Sequence, residues 1–205
     1  MTAPDPAPPV DAWAAWHPRE VAARLAACPV TWCVAAGWAI DLYLGRQTRE
    51  HSDLEIAIPR TAFPVLRPWL AGFELYEAVS GTVRRLGDEE WPGTEGHQVW
   101  VCDPEVRMWR LDTFLEPGDA LTWVCHRDER VRVPVKEAIR RTAEGIPYLA
   151  PECVLIAKAK HARDKDEADL TQVLPTLDGR TRIWLADSIE LAHPDHRWIG
   201  LVRPN

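Results

Sequence analysis

The stretch 34–60, VAAGWAIDLYLGRQTREHSDLEIAIPR, constrains this chain more than any other. It reads as a strand end, a tight turn at Gly37, a short helix over 38–44, a polar loop and a second strand over 53–58. The second strand alternates: Leu54, Ile56 and Ile58 take one face, while Asp53, Glu55 and Ala57 take the other. Residues two apart on a strand share a face at about 7 Å, so two carboxylates stand together against an apolar row. A divalent cation with oxygen ligands suits such a pair, and Mg²⁺ carried by a nucleotide is the expected occupant. An edge strand with a solvated acidic face has the same alternation, so the pair alone does not decide. Its neighbours do. Gly37 opens a helix whose free N–H groups can hold phosphate, and Arg46, Arg49 and His51 add positive or protonatable groups.

The run Ala36-Gly37-Trp38-Ala39-Ile40-Asp41, followed by Gly45-Arg46-x-Thr48-Arg49-x-His51-x-Asp53-x-Glu55, resembles the polymerase-β-type nucleotidyltransferases. It is most similar to the small branch holding the aminoglycoside and lincosamide nucleotidyltransferases. That branch typically carries Gly-Gly-Trp-Ala-Ile-Asp and Gly-Arg-x-Thr-Arg-x-His-x-Asp-x-Asp. Ala36 stands where the first glycine is usual, and Glu55 where the second aspartate is usual. The resemblance implies an α/β (α+β) fold: a mixed twisted sheet flanked by helices, with a small helical C-terminal region. It implies ATP or another NTP as donor, one or two Mg²⁺ on Asp53 and Glu55, and phosphates held by Ala36, Gly37, Trp38, Arg46, Arg49 and His51.

In 108–115, MWRLDTFL, Trp109, Leu111, Thr113 and Leu115 share a face and Arg110 and Asp112 the other. The resembling family has a third carboxylate on a later strand, and Asp112 matches it, as a further metal ligand or as the base for the attacking hydroxyl. Downstream, Lys158 and Lys165-Asp166-x-x-Asp169 resemble the family's C-terminal half. Lys158 is expected at the triphosphate, with Lys165, Asp166 and Asp169 ordering the helix or meeting substrate. Read without the resemblance, that segment is a salt-bridged exposed helix.

The rest of the chain frames these motifs. Prolines in 1–10 make a loose tail; 18–28 is an amphipathic helix; 30–34 is a short strand. The spacing predicts a hairpin over 73–86, a loop over 87–96, and strands over 97–102, 121–125 and 130–133. A short helix over 135–142, a link at 145–148 and helices from Pro151 onward follow. The expected division is a tail (1–10), a nucleotidyltransferase domain (11–135) and a helical region (136–205). A hydrophobic content of 46% supports a proper core, and most of the 11 tryptophans are expected to pack in it.

A net charge of −7 excludes a general nucleic-acid binder, which needs a basic face. Between Glu74 and Asp119 stand eleven acids and four arginines, a skew that would draw a cationic, polyamine-like acceptor or only solvate a surface. Five cysteines without metal spacing fit buried thiols in a reducing cytoplasm. No apolar run approaches a membrane span, and the N-terminus lacks a signal-peptide pattern.

The function expected from all this is Mg²⁺-dependent transfer of a nucleoside monophosphate to a hydroxyl of a small molecule such as an aminoglycoside-like antibiotic, in the cytoplasm. The rivals are a toxin-like nucleotidyltransferase acting on RNA or protein, and a degenerate nucleotide-binding protein kept in view by Ala36 and Glu55.

Overall fold

The structure is a computed structural model and describes residues 6–94 and 96–204. The first half of the expected tail, 1–5, and Glu95 of the expected loop lie outside the described residues. In chain order the elements are α1 (Pro18–Arg24), β1 (Cys33–Val34), α2 (Ala36–Leu44), β2 (Glu55–Pro59) and α3 (Phe63–Leu66, between two 3₁₀ turns). Then come β3 (Glu74–Val79), β4 (Thr82–Arg85), β5 (Gln98–Asp103), β6 (Met108–Glu116), β7 (Thr122–Val124) and β8 (Arg132–Pro134). The chain ends with α4 (Val135–Ala138), β9 (Ile139–Arg141), β10 (Pro147–Leu149), α5 (Pro151–Ala159), α6 (Asp164–Val173), α7 (Gly179–Ala192) and α8 (Trp198–Val202).

Eight strands form one mixed sheet in the order β4-β3-β5-β6-β2-β1-β10-β9, and β7 and β8 pair separately. The central pair, β2 and β6, is parallel, with Glu55 opposite Asp112 and Ala57 opposite Phe114. The alternation read from the sequence sets the faces. Leu54, Ile56, Ile58, Leu111, Thr113 and Leu115 are all at most 2% exposed, in one core with Val21 and Leu25 of α1 and Phe63 and Leu66 of α3. A one-residue slip of either strand would drive this row to the acidic face, so burial locks the register that sets Glu55 beside Asp112.

Three expectations change. The strand expected from Asp53 begins at Glu55, although Leu54 already accepts a hydrogen bond from the Asp112 N–H at 2.9 Å. The described part of the tail is not loose. Residues from Pro9 to Trp16 run beside the start of β6, where β2 has not yet begun. The Trp109 N–H donates to the Ala12 carbonyl, the Ala14 and Trp16 N–H groups donate to Trp109 and Arg110, and the Trp109 indole donates to Pro9. Third, the sheet runs past Val135. The helix expected over 135–142 stops at Ala138 and turns into β9, and the expected link contains β10, which lies parallel to β1 with Val34 opposite Tyr148. Runs of three residues are too short for a period of two to show, and Pro147 reads as a turn.

Ala36 opens α2 with φ +49°, in the left-handed region. Its methyl costs about 1 kcal/mol there relative to glycine. Ala36→Gly is therefore expected to raise the midpoint of thermal unfolding by about 2 °C, the strain relief being partly offset by greater freedom of the unfolded chain. A lower midpoint in a melting experiment would show that the turn is not strained.

Candidate active site

A cleft of about 500 Å³ lies between the polar face of the central strands and α5. Ala36 and Gly37 of the α2 turn line it, as do Cys125, His126 and Arg127 after β7. Of the residues singled out from sequence, Ala36, Gly37, Arg49, His51, Asp53, Glu55, Lys158 and Lys165 line it.

The carboxylates are brought together as the alternation requires. Parallel neighbours lie about 4.8 Å apart, and paired residues project to the same side, so Glu55 and Asp112 meet across the β2–β6 boundary with Asp53 two residues ahead. Asp112 is 5% exposed and does not itself line the cleft; Glu55 and Gln98, its neighbours, do. The Gln98 amide donates to Asp112 Oδ2 at 2.6 Å, while Asp112 Oδ1 is buried without a partner. Burial, then the charge of Asp53, pushes the Glu55 carboxyl up to about 8. Burial, then the charge of Glu55, holds Asp112 well above the carboxylate range against the opposing pull of the Trp100 indole and the Gln98 amide. Gln98 was missed in the sequence because a glutamine starting a strand carries no signal until its cross-strand neighbour is known.

Such a crowd of carboxylates with an orphaned oxygen fits a divalent cation. Among the described residues no group of three or more His, Cys, Asp or Glu side chains is placed to hold a metal ion by itself. Mg²⁺ needs none, since it commonly takes one or two carboxylates and completes its shell with phosphate oxygens and water.

The basic residues divide. Lys158 Nζ meets Asp166 Oδ1 and Asp169 Oδ2, each at 2.9 Å, and both aspartates are at most 1% exposed. Arg49 Nε lies 3.6 Å from Asp169 Oδ1. The two aspartates stand behind the cleft wall, bracing Lys158 and Arg49 from α6; Asp166 also accepts from the Arg163 N–H at the start of that helix. The exposed helix read without the resemblance is not what is seen: the two aspartates are buried, and Arg163 and Lys158 hold Asp166 down at about 2 against its burial.

Three residues expected at the phosphates stand elsewhere or act differently. Arg46 turns outward, donating to Gln172 Oε1 at 2.9 Å. Trp38 stacks on His51 with ring centroids 4.5 Å apart and does not line the cleft. His51 reaches the cleft, but burial lowers its pKa despite its partner Asp41, so it stays neutral. It donates Nε2–H to Asp41 Oδ2 at 2.6 Å, and Thr48 donates to Asp41 Oδ1 at 2.5 Å. Asp41 thus ties the 45–53 loop to α2. Gly37 is required by close approach: a Cβ there would overlap Arg49 Nη2 and the His51 ring.

Four of the eleven acids of the middle segment form ion pairs with its four arginines. Glu74 meets Arg85 and Arg107, Glu77 and Glu90 meet Arg84, and Asp103 meets Arg110. Among the described acids of that segment, Glu116 alone lines the cleft.

Comparisons with known proteins bear on the sequence and the fold. The model of the family aminoglycoside-2''-adenylyltransferase matches residues 19–85. A 2''-aminoglycoside nucleotidyltransferase of Escherichia coli is 30% identical over 95 residues, 45% of this chain and 47% of that protein. The chain therefore matches about half the length of this curated relative. The solution structure of the antibiotic-resistance factor ANT(2'')-Ia superposes with a TM-score of 0.53 at 14% identity, covering 83% of this chain and 86% of the other. The crystal structure of ANT(2'')-Ia in complex with adenylyl-2''-tobramycin gives a TM-score of 0.51 at 14% identity, over 83% and 93%. This is a nucleotidyltransferase fold. The nucleotidyltransferase resemblance read from residues 36–55 falls within the matched segment, and it is the aminoglycoside branch that matches. The mixed sheet with flanking helices expected for nucleotidyltransferases is the sheet observed.

Proposed function

We propose that this chain transfers a nucleoside monophosphate from a nucleoside triphosphate, ATP in the first instance, to a hydroxyl of a small molecule. The observation that carries the reading is the meeting of Glu55 and Asp112 on neighbouring parallel strands, with Asp53 just ahead, in a cleft whose other wall presents Gly37, Arg49 and Lys158. Asp53, Glu55 and Asp112 are the residues that would hold Mg²⁺. When bound, the ion neutralises charge on the transferring phosphoryl group. The Gly37 turn and the Arg49 guanidinium receive the phosphates, and Lys158, its ammonium held by two aspartates, lines the same cleft. The acceptor oxygen bonds to the α-phosphorus, the α–β bridging P–O bond breaks, pyrophosphate leaves, and the hydroxyl proton passes to Asp112. The relatives' names make an aminoglycoside the first acceptor to assay, and such a task would be antibiotic resistance.

Calorimetry with ATP and Mg²⁺ tests this directly. The parent is expected to bind, and Asp53→Ala to bind at least tenfold more weakly. Pyrophosphate release should depend on an added hydroxylated acceptor. Nucleotide binding without release across a broad acceptor panel would leave a binding protein and overturn the catalytic reading.

A further inference from the structure

The cleft extends along β6 beyond the carboxylate centre. Asp112 to Glu116 runs along one strand face for about 13 Å, the reach of one or two sugar rings beyond the carboxylate centre. At that far end the lining includes Trp123, His126, Arg127 and a single acid, Glu116. Glu116 is 6% exposed, and its Oε2 already meets His126 Nδ1 at 3.3 Å. Arg127 is different. It is half-buried, its Nε is buried without a hydrogen-bond partner, and among the described residues no carboxylate stands within ion-pair distance of it. Burial pulls its pKa below the ordinary arginine range, the charges of Cys125 and Glu116 only partly opposing this. A guanidinium stays charged regardless, and one that is half-buried, with its Nε shut from water and no facing carboxylate, suits an anion that a ligand supplies.

We propose that Arg127 is an anion-recognition site at the acceptor end of the cleft, and that the acceptor is a hydroxylated molecule bearing a carboxylate or a phosphate. This rests on the nucleotidyltransferase reading for its acceptor role, and it narrows the substrate class. An aminoglycoside would bring several ammonium groups to a place offering one carboxylate, already paired with a histidine, and an arginine. An acidic sugar or sugar phosphate would meet the Arg127 fork with its anion while its hydroxyl lies toward Asp112.

The probes are methyl phosphate and acetate, titrated by calorimetry into the full chain saturated with Mg²⁺ and a non-hydrolysable ATP analogue. The parent is expected to bind at least one of them saturably, and whichever binds more tightly tells phosphate from carboxylate. Arg127→Gln should weaken that binding at least tenfold and leave analogue affinity within about twofold. Glu116→Gln should tighten it several-fold by removing the competing anion, an opposite sign that simple loss of packing in both variants would not give. Equal binding by parent and Arg127→Gln overturns the proposal, as does an equal loss of nucleotide affinity in Arg127→Gln, which would put Arg127 at the triphosphate. If Arg127→Gln does not fold, Arg127→Lys is read instead: a point charge in place of the fork should weaken the anion several-fold, and unchanged binding overturns the proposal. In pyrophosphate-release assays gluconate or glucose 6-phosphate should outperform tobramycin, and preference for tobramycin also overturns it. Should the parent bind no nucleotide, the reading of the function fails separately, and the methyl phosphate comparison on the nucleotide-free chain still decides the Arg127 site.

Discussion

Asp112→Asn is expected to lower the turnover of acceptor-dependent pyrophosphate release by about a thousandfold, the usual scale for loss of a positioned base. Its amide keeps the shape of the carboxylate but cannot take a proton. Binding of ATP with Mg²⁺, read by calorimetry, should fall less than tenfold, because Asp53 and Glu55 remain. Gln98→Leu serves as the comparison. It removes the bond to Asp112 Oδ2 and leaves a buried carboxylate with neither oxygen bonded by that amide, so the pH at which activity rises should move upward, with a smaller loss of turnover. Turnover within tenfold of the parent for Asp112→Asn would remove Asp112 from the chemistry and leave it a structural acid.

Without a divalent cation the protein should become less stable as pH rises, and Glu55→Gln should reduce that trend, leaving the part due to buried Asp112, while destroying activity. The sign follows from proton counting. Glu55 is pushed up to about 8 in the folded chain by burial and by Asp53, whereas an unfolded glutamate ionises near 4.3. Between these values the folded chain holds the extra proton, so stability is full below the lower value and is lost as pH climbs through the upper one. Allowing for solvent reaching Glu55, about 3 kcal/mol is at stake. At pH 8.5 in a chelator, Glu55→Gln should therefore melt about 6 °C above the parent, and at pH 4 the two should coincide. Added Mg²⁺ should raise the parent and leave the variant nearly unmoved. A parent that melts higher at pH 8.5 than at pH 5, by the same margin as Glu55→Gln, would mean that these carboxylates do not repel.

Much of this centre was legible because it lies in long alternating runs. Leu54 to Ile58 and Trp109 to Leu115 each have enough residues for a period of two to separate a core row from a polar row, and the polar rows carry Asp53, Glu55 and Asp112. What the sequence withheld is of two kinds. Strands of three residues, Ile139–Arg141 and Pro147–Leu149, have no readable period and exist because the outer edge of β1 is open to pairing. The other kind is pairing at a distance. Gln98 matters through a neighbour 14 positions away, Lys158 is fixed by Asp166 and Asp169 from the following helix, and Arg46 turns outward to Gln172. Nothing in the residue types tells a cation that faces a cleft from one that leaves it. The arginines that pair with Glu74, Glu77 and Asp103 were likewise present in the sequence, but only their placement on neighbouring strands shows which acids of that segment they meet.

The seating of β10 beside β1 bears on how this chain can be cut. The two-residue β1 leads into the Gly37 turn, and on one flank it is held by a strand that arrives over a hundred residues later. A fragment stopping at Val135 would keep all three central carboxylates yet leave a bare row of peptide groups along β1, free to recruit another chain. Anyone trimming the protein to its motif-bearing half for crystallisation or library screening should then meet inclusion bodies, and co-expressing the severed remainder should bring the material back into solution.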